Sequence, residues 1–149
     1  MLSSKAKYGL KAMVHLAINE GKGPSLIADV AESEHIPKKF LDAILLEMKN
    51  QGLLSSKKGK GGGYVLARPA TRITVGEIVR ILDGPLAPVA CVSHTAYRRC
   101  TDCVDEAGCS VRSVMQDVRD AIASILDNTS LADMIARIGQ GKPVLVYDI

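Results

Sequence analysis

The chain has 149 residues, 47% hydrophobic and 23% charged, with a net charge of +3. That suits one compact water-soluble domain or a small domain with an appendage, since no stretch approaches the ~18–20 apolar residues of a membrane span. The start, MLSSKAKYGLKAM, lacks the apolar run of a secretory signal, so a cytoplasmic protein is expected.

Aromatic residues make up only 3%, with no Trp and a single Phe, so the core must be built from Leu, Ile, Val, Ala and Met, a helix-favouring mixture. Charge is uneven. Residues 1–72 hold 12 Lys and Arg against 6 Asp and Glu, and residues 73–149 hold 7 against 10. A basic front half is what a phosphate-binding surface needs, although a solvated face would look the same.

A first helix is predicted to start at Ser3 or Ser4, with an apolar stripe through Leu10, Met13, Val14, Ala17 and Ile18. Gly21, Gly23 and Pro24 end it. Ser25 can cap a second short helix running to about Ala31. After a turn at SEHI, Pro37 suits the first position of a third helix with Phe40, Leu41, Ile44, Leu45 and Met48 inside and Gly52 just past its end. Two strand-like pieces, Leu53–Ser56 and Tyr64–Ala67, flank a Lys/Gly tip and read as a β-hairpin. TVGE at Thr74–Glu77 is a capping box opening a helix that stops at Gly84-Pro85. Beyond the next loop, Val111, Val114, Met115, Val118, Ile122, Ile125 and Leu126 keep helical spacing. Asn128-Thr129-Ser130 breaks that helix and caps a last short one. The tail QGKPVLVYDI is expected to be extended, because Pro143 bars helix.

Two short helices joined by a turn and followed by a hairpin make a winged helix-turn-helix. The expected class is mainly α with a small β-hairpin wing, divided into a DNA-binding unit (1–84), a cysteine-rich sensor loop (85–110), and a dimerisation helix with tail (111–149). Lys38, Lys39, Asp42 and Ala43 lie on the outer side of the third helix, where Lys can meet guanine or phosphate and Asp42 can accept from cytosine N4. Lys57, Lys58, Gly59 and Lys60 at the wing tip suit the backbone or the minor groove. Tyr8 and Ser25 complete the expected DNA-contacting set. The alternative is a winged helix that binds protein. An NTPase loop fails, because no GxxxxGK[ST] is present.

All four cysteines fall within residues 91–109, spaced C-x8-C-x2-C-x5-C. Cys91, Cys100, Cys103 and Cys109 could complete a [2Fe–2S], a [4Fe–4S] or a tetrahedral zinc site. They could also act as redox thiols without metal. Arg98 and Arg99 beside Cys100 are expected to lower thiol pKa values. Asp105 and Glu106 read as solvated loop carboxylates, and His15 and His35 as ordinary side chains. No Ser/His/Asp or HExxH pattern or concentrated acid–base pair suggests an enzyme.

KYGLKAM, IADVAESEHIPKKFLDAIL, GLLSSKKGKGGGYVLARP and ITVGEIVRILDG, in that order, resemble the Rrf-two family of bacterial winged-helix regulators across nearly the whole chain. The resemblance implies a homodimer on a roughly palindromic double-stranded operator, joined through the helix after the cysteine loop. It places Lys39, Asp42 and Ala43 on the base-reading face and Lys58 and Gly59 in the wing. Ala43 departs from the longer polar residue of the IscR-like branch. The family's three loop cysteines match Cys91, Cys103 and Cys109. Arg112 stands where IscR-like members carry a histidine ligand, and Lys5 to Tyr8 hold none of the carboxylates that NsrR-like members recruit. The fourth ligand is then Cys100 or His94. The implied function is a transcriptional regulator sensing iron–sulfur status, nitric oxide or redox state, with [2Fe–2S] placed ahead of [4Fe–4S] and loss of the cluster foreseen in aerobic preparations. The other branch, CymR-like, acts on cysteine metabolism through the enzyme O-acetylserine sulfhydrylase. The ending Tyr147-Asp148-Ile149 resembles peptides that enter that enzyme's active site, with Ile149 as anchor.

Overall fold

The structure, a computed structural model, describes residues 2–141. The expectations for Pro143, Tyr147 and Ile149 lie outside them. The elements run α1 (Ser4–Ile18), α2 (Ile27–Glu34), α3 (Lys38–Asn50), β1 (Leu54–Lys57), β2 (Gly63–Leu66), α4 (Val75–Asp83), α5 (Ser110–Asp127) and α6 (Leu131–Ala136), with short 3-10 turns at Ala70–Arg72 and Ala90–Val92. The protein is mainly α with an antiparallel hairpin, as the sequence predicts.

Ser3 caps α1, its hydroxyl accepting from the Ala6 N–H. The buried side of α1 is Ala6, Gly9, Ala12, Met13, Leu16 and Ala17, whereas Ile18 is exposed. The predicted stripe was rotated, because small residues hide the inner face from a hydrophobicity count. Gly9 shows why they are small. A Cβ there would sit 2.2 Å from Leu82 Cδ1, so any larger residue would have to displace the Leu82 side chain between α1 and α4.

Ser25 does not cap α2. Leu26 is the N-cap and makes no side-chain bond. Ser25 instead exchanges two backbone hydrogen bonds of 2.9 Å with Tyr64, adding a one-residue bridge to the edge of β2. The helix also runs three residues past Ala31. His35 then turns in the left-handed conformation (φ 54°), and the Ile36 N–H donates to Ala31 C=O at 2.9 Å. Helix α3 ends by the same device, with Gly52 (φ 82°) and the Leu53 N–H on Met48 C=O at 3.0 Å. Pro37 sits one position earlier than predicted, as the N-cap of α3. Leu41, Ile44, Leu45 and Met48 are buried, but Phe40 is 62% exposed, against the expectation of a core side chain.

The hairpin pairs Leu54 with Leu66 and Lys57 with Gly63, one residue out from the predicted strand ends. Thr74 and Glu77 form the predicted capping box at the start of α4. Helix α6 turns back onto the N-terminal core. Leu131 is fully buried in the same cluster as Met13, Leu41 and Ile73, and its N–H donates to Ile73 C=O at 2.9 Å. Helix α5 buries none of its 18 residues.

Candidate nucleic-acid interface and cysteine loop

The turn at His35 and Ile36 projects the N-terminus of α3 outward. Lys38, Lys39 and Ala43 are exposed and Asp42 half-buried. Lys38 Nζ lies 3.8 Å from Asp42 Oδ2, one helical turn away. Burial pushes the Tyr64 hydroxyl up from its ordinary pKa, and the Asp42 carboxylate adds to the rise.

The wing stands against this helix because its base is pinned. Gly63 adopts φ 144°, and a Cβ there would lie 2.2 Å from the Ser25 carbonyl oxygen. Only glycine allows β2 to approach Ser25 this closely. A cavity of about 390 Å³ results between the N-terminal turns of α2 and α3 and the wing, and Leu26, Lys38, Lys57, Lys58 and Gly59 are among its walls. Three of the predicted cations thus converge on one cleft. Lys60 lies at the exposed tip, Lys39 and Ala43 lie on the outer face of α3, and Tyr8 is half-buried against the core. Ser25 belongs to the region through its backbone bridge.

The cysteine loop links α4 to α5. Cys91 is buried in the Ala90–Val92 turn, Cys103 and Cys109 are half-buried, and Cys100 is exposed. The Arg98 N–H closes the first arc onto Ala90 C=O at 3.2 Å, which returns the chain toward Cys91. The Cys100 thiol lies against that of Cys91, and this neighbour, with some loss of hydration and the charges of Asp102 and Cys103, pushes its pKa up. The expected lowering by Arg98 and Arg99 is therefore reversed at Cys100. Arg99 reaches the Cys103 carbonyl instead, at 3.4 Å.

Cys109 is the N-cap of α5, its sulfur accepting from the Arg112 N–H at 3.4 Å. The Arg112 side chain reaches back to Cys91 C=O, also at 3.4 Å. This arginine, which sequence reasoning set aside as a non-ligand, joins the first cysteine to the last. Arg119 Nη1 similarly donates to Val92 C=O at 2.5 Å. Four thiols form a donor set suited to iron or zinc. Among the described residues, however, no three His, Cys, Asp or Glu side chains converge on one point, so this arrangement does not itself form a closed metal site. His94 lines a different cavity of about 470 Å³, with Arg80, Arg119 and Asp127, in which none of the cysteines takes part. Glu106 accepts from the Tyr97 hydroxyl and Asp105 from the Ala107 N–H, local roles for two loop carboxylates.

On α5 the predicted apolar stripe separates into two. Met115, Ile122 and Leu126 are half-buried, whereas Val111, Val114, Val118 and Ile125 are exposed. Its far end is clamped to α4 by a two-pronged ion pair, Arg80 to Asp127 at 2.6 and 2.8 Å. The pair spans 47 positions, and nothing in the local sequence announces it.

Comparison with known proteins agrees with this architecture. Residues 2–137 match the family model described as Rrf2: Iron-dependent Transcriptional regulator. An rrf2-like HTH-type transcriptional regulator of Rhodobacter capsulatus is 39% identical over 140 residues, covering 91% of this chain and 93% of its own. The solved structure of CymR, the global cysteine regulator of B. subtilis, superposes with a TM-score of 0.77 at 32% identity, covering 91% of this chain and 96% of its own. That of T. potens IscR gives 0.74 at 28% identity, covering 100% and 93%.

Proposed function

Since the chain belongs to the Rrf2 family of transcriptional regulators, we propose that it is a homodimeric DNA-binding regulator whose operator affinity is set by the state of Cys91, Cys100, Cys103 and Cys109. Residues 1–84 hold the DNA-binding surface, residues 85–110 the sensor, and α5 within 111–149 the dimer contact. Lys39, Asp42 and Ala43 face base edges, while Tyr8, Ser25, Lys38, Lys57, Lys58, Gly59 and Lys60 contact the backbone or minor groove.

The observation that carries the sensing role is the position of the loop. It joins α4 to α5, and Arg112 links Cys91 to Cys109 across it. A change at the thiols therefore acts on both units it connects. A ligand shifts DNA affinity only through different binding to two conformations, and such a loop supplies the difference. An iron–sulfur cluster, [2Fe–2S] before [4Fe–4S], is the proposed group, held by Cys91, Cys103 and Cys109 with Cys100 as the fourth ligand. When bound, it makes the thiol set responsive to iron supply, nitric oxide and oxidants.

The proximity of the Cys91 and Cys100 thiols also supports a second reading, a thiol switch on a regulator of cysteine metabolism. Likeness to CymR favours it, with O-acetylserine sulfhydrylase as the proposed partner. Anaerobic purification followed by iron, sulfide and zinc analysis separates the two. Iron with sulfide and visible absorption, lost in Cys91→Ala, Cys103→Ala and Cys109→Ala, supports the cluster. A colourless, metal-free protein that binds the sulfhydrylase in calorimetry supports the switch.

A further inference from the structure

The outer face of α3 has an unusual composition. Leu41, Ile44, Leu45 and Met48 fix its inner side. At 100° per residue, Lys39, Ala43, Leu46 and Asn50 lie opposite, and Phe40 lies at the edge of that face, about one turn before Ala43. Phe40 is 62% and Leu46 50% exposed, and Ala43 is exposed. On the flank Lys38 Nζ lies 3.8 Å from Asp42, which leaves Lys39 and Asn50, at the two ends of the outer face, as its polar side chains. The middle of the helix thus presents an exposed face mostly of hydrocarbon, and the cations Lys38, Lys57 and Lys58 line a separate cleft on its other flank.

Hydrocarbon pressed on a base edge strips water from its donors and acceptors and returns no hydrogen bond, which is unfavourable. The 5-methyl of thymine is the one major-groove feature that gains from such contact. Resting on the reading of α3 as the groove-entering helix, we propose that Phe40 and Ala43 determine specificity by contacting thymine methyl groups in the operator. Lysines of the cleft supply affinity without sequence, and the apolar face selects thymine at one or two positions of each half-site.

Deoxyuracil tests this, because it removes the methyl and nothing else. Duplexes enriched from a random library by the full-length protein are resynthesised with one thymine at a time replaced by deoxyuracil, and affinities are compared by fluorescence anisotropy at constant salt. One or two replacements per half-site should weaken binding about fourfold, the worth of one buried methyl-sized group. In Phe40→Ala, thymine and uracil should bind alike at the position Phe40 contacts, with salt dependence unchanged. Specific binding that no uracil replacement weakens overturns the proposal. A uracil penalty that survives Phe40→Ala removes Phe40 from the role. Failure to enrich any sequence overturns the DNA-reading function itself, and this inference with it.

Discussion

Single residues divide into those whose chemistry is visible in their type and those whose role depends on where the chain returns. Lys58 is of the first kind. It borders the cleft beside α3, so Lys58→Ala should weaken binding to every duplex and lower the salt dependence of log K by about one unit. A titration at several salt concentrations checks it. Asp42→Ala should instead relax preference at one base pair by about 1–3 kcal/mol, read as specific against random DNA. Gly63 is of the second kind. Its positive φ and the Ser25 carbonyl 2.2 Å from any added Cβ make Gly63→Ala costly, about 1–3 kcal/mol in an unfolding titration, with the wing displaced. The run KKGKGGG announces a turn, but not which glycine meets another strand. Ser25 and Phe40 were misread for related reasons. Capping preference favours a serine before any helix, and hydrophobicity places any Phe inside; the bridge to Tyr64 and the outward aim of α3 are tertiary facts.

At the level of elements, periodicity and caps were the legible part. The capping box of α4, the end of α3 at Gly52 and the length of the hairpin follow from local rules. The clamp between α4 and α5 does not, because Arg80 and Asp127 meet only once both helices are packed. Its pH response has a definite sign. The hydrogen bonds and charge of Arg80 outweigh partial burial and hold the Asp127 carboxyl below its ordinary pKa of 3.8, so the pair contributes fully above that value. The contribution fades as pH falls through the lower folded pKa. Both side chains are more than a third exposed, 38% and 40%, and solvent screening limits the effect to about 1 kcal/mol or less. Wild type should therefore exceed Asp127→Asn in stability at neutral pH and converge with it at the acid end, in denaturant unfolding across that range.

For the whole molecule, the exposed α5 calls for a partner. Val111, Val114, Val118, Ala121 and Ile125 alternate spacings of three and four, a coiled-coil seam with β-branched residues at every first position. With α5 as the dimer contact, Val118→Asp removes about 1.5 kcal/mol of burial from each protomer, or roughly a hundredfold in dimer affinity, before the charge is counted. Sedimentation equilibrium should show a monomer at concentrations where wild type is dimeric, with operator binding lost in parallel.

The asymmetry in how α5 is anchored has a mechanical consequence. Its C-terminal end is gripped by Arg80 and by α6 in the core, while its N-terminal end begins at Cys109 in the loop. Eighteen residues make a rod of about 27 Å, stiff along its length and pivoting at one end. A swing of about 7° moves the other end by roughly 3.4 Å, the rise of one base pair along a strand. Under the proposed sensing role, a rearrangement of the thiols that carries Cys109 through that distance tilts the whole rod, and with it the face offered to a partner, while the clamped end stays in place.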